Sequence, residues 1–142
     1  CREEKKCVLK GSTPIYIEDV SPQKEMDPKS CFKFAEIYAQ GKRIASNRKF
    51  LTDFKELQLP AEAIQANIYR VSDCDWTIEL SAEKFMWDVT ILPEDSFTVS
   101  DNSFDLWPNE KKTLYVHTKE PMACFRPEII SINHYLGGNN IE

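Results

Sequence analysis

Hydrophobic and polar residues alternate with a period of two through the middle of the chain. Trp76, Ile78, Leu80 and Ala82 are separated by Thr77, Glu79, Ser81 and Glu83. Successive side chains of a strand point to opposite faces, so this run sets one apolar face on a core and one polar face in water. Trp87, Val89 and Ile91 alternate with Asp88 and Thr90, Leu114 and Val116 with Thr113 and His117, and Ile64, Ala66 and Ile68 with Gln65 and Asn67. Turn-forming clusters part the runs: Ser72-Asp73-Cys74-Asp75, Pro93-Glu94-Asp95-Ser96 and Pro108-Asn109-Glu110. Short strands at this spacing predict an antiparallel β-sandwich, with Trp76 and Trp87 both on the inward phase. A helix is open only over Pro60 to Ala66, where proline suits the first helical position.

The first part of the chain reads differently. Cys7 to Lys10, Ile15 to Glu18, Cys31 to Ala39 and Arg43 to Leu51 are expected as strands, with Gln40-Gly41-Lys42 as a hairpin turn. Phe32, Phe34 and Tyr38 share one face, and Cys31, Ala35, Ile37 and Ala39 the other. A strand apolar on both faces is expected to be central or covered on both sides. Asp53 to Leu59 reads as a connector. A boundary near Leu57 then divides the chain into residues 1–57 and 58–142, within the length of one ordinary domain or two small ones.

Composition narrows the function classes. The formal charge is −5, and lysine and arginine are dispersed instead of forming a basic stripe, which argues against nucleic acid as a partner. No apolar run is long enough to span a bilayer, so no membrane association is expected. The five cysteines, Cys1, Cys7, Cys31, Cys74 and Cys124, are odd in number, widely spaced and free of any C-x-x-C pair. They are read as reduced thiols in a cytoplasmic setting, with a secreted or periplasmic parent left open.

One stretch resembles a known family. Ser100-Asp101-Asn102-Ser103-Phe104-Asp105-Leu106-Trp107-Pro108-Asn109-Glu110 is similar to the S-D-N-x-F-D-L-x-P-G-E segment near the C-terminus of family 2 β-mannosidase-like glycoside hydrolases. Gly41-Lys42-Arg43-Ile44-Ala45-Ser46-Asn47 resembles the hairpin closing the preceding immunoglobulin-like domain, and Lys55-Glu56-Leu57-Gln58-Leu59-Pro60 the connector after it. The resemblance covers about Lys6 to Thr118. It implies an all-β fold: a C-terminal immunoglobulin-like sandwich preceded by the last strands of a second, incomplete one. Asn109 replaces the usual glycine, a mild change because asparagine also accepts positive φ. Trp107 replaces the frequent leucine, and its larger ring either packs at a domain junction or is exposed.

The same resemblance places the catalytic glutamates in a barrel upstream, so this chain is expected to be a non-catalytic accessory region with the remaining domains of a glycosidase as partners. Self-association through the N-terminal half is a further expectation. Asp101, Asn102, Phe104, Asp105, Leu106 and Pro108 are read as a structural motif, in which Asp101 and Asn102 bond nearby backbone while Phe104 and Leu106 enter the core. A calcium reading of Asp101, Asn102 and Asp105 lacks the glycine turn and distal glutamate of a dedicated loop. No metal and no cofactor are expected. Two other readings stay open: a carbohydrate-binding module using Trp107 and Tyr115 as exposed aromatics, and a structural immunoglobulin-like interaction module. His117 and His134 have no nucleophile motif beside them.

Overall fold

A computed structural model describes residues 6, 26–92 and 97–136. The strand expectations at Cys7–Lys10 and Ile15–Glu18 lie outside the described residues.

The expected hairpin forms from β1 (Phe32–Ala39) and β2 (Lys42–Phe50). Ala39 pairs with Lys42, leaving a two-residue loop in which Gln40 and Gly41 have φ of 53° and 76°. Two successive positive φ values are what a type I′ turn requires, and its twist matches that of the strands it joins. Among the described residues β1 pairs only with β2. Phe34, Ile37, Tyr38 and Ile44 keep about half or more of their surface exposed.

A short 3-10 turn over Phe54–Glu56 leads into the sandwich. One sheet has the order β3-β4-β8-β6, from β3 (Gln65–Arg70), β4 (Asp75–Ser81), β6 (Phe97–Val99) and β8 (Lys111–Thr118). The other has the order β7-β5-β9, from β5 (Met86–Ile91), β7 (Phe104–Leu106) and β9 (Ile129–Ile130). A single turn of helix, α1 (Ile132–Leu136), follows. Residues 60–64 form no regular element and Gln65 and Ala66 belong to β3, so the helical alternative there is not adopted.

The core lies between the sheets. Trp76, Ile78 and Leu80 of β4 and Leu114 and Val116 of β8 meet Met86, Val89 and Ile91 of β5, Leu106 of β7 and Phe125. The period-two reading of β3, β4 and β8 therefore carries through to the packing. In β5 it breaks. Met86 faces Leu106 and Val89 faces Phe104, so Trp87 and Asp88 together oppose the single residue Asp105. Asp88 takes φ of 51° in this β-bulge. The extra residue puts Met86 inward and turns Trp87 out of the core, correcting its expected inward phase.

The 100–110 stretch folds around two local devices. Asn102 stands where β7 has ended and β5 continues. Its carboxamide accepts from Ile91 N at 2.7 Å and donates to Ile91 O at 3.0 Å, replacing the peptide unit of a neighbouring strand. At Pro108-Asn109 the chain turns back, with Glu110 N donating to Trp107 O at 3.1 Å and Asn109 at φ 62°. Proline followed by a positive-φ residue is the type II turn signature, so Asn109 does the work of the glycine it replaces.

Asp101 does less than its expected capping role. Its carboxylate pairs with Lys112 Nζ at 2.5 Å on the exposed surface. We expect Asn102→Ala to cost about 2–3 kcal/mol, because two backbone groups of β5 lose their partner. Asp101→Ala should cost under about 1 kcal/mol, as exposed ion pairs usually do. Urea denaturation of the two variants checks the order; equal losses would remove Asn102 from its bridging role.

Candidate functional site

The motif residues converge on the place where the hairpin meets the sandwich. Because the bulge turns Trp87 outward, its indole lies 4.6 Å from the Phe50 ring and 5.1 Å from Phe54, centroid to centroid. Trp107, just past β7, lies 4.8 Å from Phe34, 4.9 Å from Phe85 and 6.0 Å from Phe32. Phe32 and Phe85 are 4.4 Å apart. The hairpin thus supplies phenyl rings and the sandwich supplies two indoles, in the tilted and edge-on arrangements that aromatic quadrupoles favour. Trp107 retains only 8% exposure. It is the junction residue, and the expectation of an exposed sugar-stacking ring here is corrected: Phe32, Phe34 and Phe85 pack against it.

Two arginines of β2 set the register of this contact. Arg48 pairs with Asp105 of β7 while its guanidinium lies 5.2 Å from the Trp87 ring centroid and 5.6 Å from that of Phe50. Arg43 forks onto Glu110 at 2.8 and 3.0 Å and also reaches Glu36 at 2.9 Å. Forked guanidinium–carboxylate pairs add directionality that ring packing lacks. Burial pushes the Asp105 carboxyl above its ordinary value of 3.8, against the pull of Arg48 and of the Asp88 amide. A partly desolvated pair of this kind fixes how the hairpin sits more than it adds net stability.

The other motif positions are structural in geometry. Leu106 is fully buried, Phe104 is half-buried with Lys112 Nζ 4.8 Å from its ring centroid, and Pro108 opens the turn beside Trp107. The connector is also tied down: Leu57 and Leu59 are buried, and Gln58 N donates to Lys29 O at 2.8 Å. Cys31, Cys74 and Cys124 are free thiols.

Tyr115 is elsewhere. It projects from β8 on the outer face of the four-stranded sheet, 67% exposed, beside a groove of about 500 Å³. His117 stands next to it on the same face, with Nδ1 at 2.8 Å from Asp75 Oδ1. Asp75 also accepts from Ser72 Oγ at 2.6 Å; this bond and the imidazole hold its carboxyl below 3.8. The structure therefore separates Trp107 from Tyr115: one is in the junction, the other on an open sheet face.

Comparison with known proteins bears on the same sandwich. A family model described as an Ig-fold domain of the mannosidase type matches residues 59–127, from the connector through β3 to β8 and on to Pro127, ending before β9. Residues 59–127 are thus similar to a mannosidase-type Ig-fold domain. Beta-mannosidase B of Aspergillus terreus (strain NIH 2624 / FGSC A1156) is 25% identical over 115 residues, a match covering 81% of this chain and 14% of that protein. The chain thus spans about one seventh of the length of this curated relative.

Sequence reasoning missed one residue that holds the Ig-fold domain together. Asn133 of α1 is completely buried. Its Oδ1 accepts from Trp87 N at 2.7 Å, and its Nδ2 donates to Phe85 O at 2.8 Å and Pro60 O at 2.9 Å. It joins the entry of the domain, the start of β5 and the terminal turn. The local signal was an asparagine within the apolar segment Ile129–Leu136, but its three partners lie far away in sequence.

Proposed function

We propose that this chain is a non-catalytic accessory region of a β-mannosidase-type glycosidase, and that its work is to pack against and stabilise the rest of that enzyme. The parent would hydrolyse terminal β-mannosidic or related β-glycosidic bonds with carboxylates that lie outside these residues. The observation that carries the reading is the junction. The hairpin upstream of the Ig-fold domain is keyed into it by Trp87, Trp107, Arg43 and Arg48, yet Phe34, Ile37, Tyr38 and Ile44 still leave half or more of their surface exposed. Exposed apolar surface of this kind marks an interface. In this proposal residues 1–57 are the closing strands of the preceding sandwich, and the rest of that sandwich covers them.

The test uses two proteins, this chain and the longer parent polypeptide, with an aryl β-mannoside as substrate. The chain alone is expected to give no turnover. The parent is expected to turn the substrate over, and Trp107→Ala in the parent should lower its melting temperature while leaving KM unchanged. Hydrolysis by the purified chain would overturn the non-catalytic reading. A parent whose melting is indifferent to Trp107 would overturn the stabilising role.

A further inference from the structure

The outer face of the four-stranded sheet is built unlike an ordinary solvated face. The register places Tyr69 of β3 opposite Thr77 of β4, and Thr77 opposite Tyr115 of β8. Tyr69 and Tyr115 therefore stand in one line across the sheet, separated by two inter-strand spacings, roughly 9.6 Å. Both are exposed, at 50% and 67%. The next line, one step along the strands, contains Asp75, His117 and Thr98, since Asp75 pairs with His117 and His117 with Thr98. Ser100 closes the tyrosine line, its Oγ accepting from Tyr115 N at 3.0 Å. The groove is lined by Thr77, Tyr115 and Ser100 of the first line and by Asp75, His117 and Thr98 of the second, with Tyr69 on β3 beyond its lining.

From this arrangement we propose that this sheet face binds an extended, β-linked pyranose chain, with Tyr115 in the groove and Tyr69 beside it stacking on sugar rings and His117, Thr77 and Thr98 bonding their hydroxyls. A pyranose offers an axial C–H face that packs on an aromatic ring and an equatorial rim of hydroxyls that needs donors and acceptors beside it. Two rings in line at that separation suit alternate residues of a straight chain. The flanking groups suit the rim. Thr77 and Thr98 can each donate and accept, and Ser100 keeps its hydroxyl proton free to donate. Asp75, when ionised, can only accept, so His117 Nδ1 is the donor in their contact.

Charge argues for the same ligand class. No lysine or arginine lines the groove, and the carboxylate of Asp75 is on its wall. Phosphate-bearing ligands and acidic peptides would meet no cation there except a protonated His117. A neutral, hydroxyl-rich chain meets no such penalty. The inference rests on this sheet face alone and stands whether or not the parent is a glycosidase.

The experiment titrates the full chain with mannohexaose, cellohexaose and the α-linked, curved maltohexaose, following backbone amide shifts and heats of binding. Shifts on Tyr69, Thr77, Tyr115 and His117 are expected with one or both β-linked probes. Tyr115→Ala should weaken that binding by about tenfold or more, Tyr115→Phe should retain most of it, and Tyr69→Ala should weaken it by several-fold. Both side chains stand on an exposed face, so an unchanged melting temperature shows that the fold is intact. Absence of shifts at these four residues with every probe would overturn the proposal. So would equal binding of maltohexaose, or undiminished binding by the Tyr69→Ala/Tyr115→Ala double variant.

Discussion

Trp107→Ala is expected to destabilise the chain by about 3–5 kcal/mol in urea denaturation, among the largest losses for any single truncation in it. The indole sits under Phe32 and Phe34 of the hairpin and against Phe85 of the sandwich, so its removal opens a void that both bodies border. Their freedom to collapse into that void is limited, because Arg43 and Arg48 hold the hairpin in register at Glu110 and Asp105. Trp107→Leu separates volume from hydrophobicity. It should cost less than alanine and still loosen the hairpin, since leucine cannot reach both Phe34 and Phe85. Amide exchange distinguishes this account from a general loss of stability. Protection in β1 and β2 should fall first in the leucine variant, while β4 and β8 stay protected. Uniform loss across both bodies, or a cost for the alanine variant below about 1 kcal/mol, would contradict the junction described here.

The parts of this fold that were legible in the sequence are those governed by local periodicity. In β4, the alternation of Trp76, Ile78 and Leu80 with Thr77 and Glu79 became a buried face and an outer face without exception, because no bulge interrupts its pairing with β3 or β8. The hairpin turn at Gln40-Gly41 and the turn at Pro108-Asn109 were legible because positive φ restricts residue choice. What failed to show was anything set by a single inserted residue or by distant partners. The Asp88 bulge reverses the phase of Trp87 relative to Val89, and an aspartate at positive φ leaves no mark on a period-two count. Trp107 could be read either way, since its neighbours Phe32 and Phe34 lie more than seventy positions upstream. In the 100–110 motif the family resemblance marked the right segment. It could not apportion roles within it: Asn102 makes the bridge to Ile91, whereas Asp101 stays on the surface with Lys112.

Asn133 gives the second large effect, and two substitutions there are expected to differ in an informative order. In Asn133→Ala the Trp87 amide and the Phe85 and Pro60 carbonyls all lose their buried partner. A buried backbone group left without a partner costs about 1–3 kcal/mol, so a loss of about 3 kcal/mol or more is expected even if water reaches one of them. Asn133→Asp keeps the acceptor facing Trp87 N, which would make it the milder change if that bond dominated. It also points an ionised oxygen at two carbonyl oxygens that had been receiving N–H donors. Repulsion and desolvation of that carboxylate should outweigh the retained bond at neutral pH, making aspartate worse than alanine. Lowering the pH to protonate the new carboxyl restores one donor, so the aspartate variant should regain stability as the solution is acidified through its raised pKa. The sign follows from linkage: a carboxyl whose folded-state pKa is raised makes the fold more stable below that value and less stable above it. Melting curves of the two variants across the acid range decide the matter. If aspartate is milder than alanine at neutral pH, the bond to the β5 bulge is the one that matters. If both variants melt like the parent chain, the three-way joint at Asn133 does not hold the domain closed.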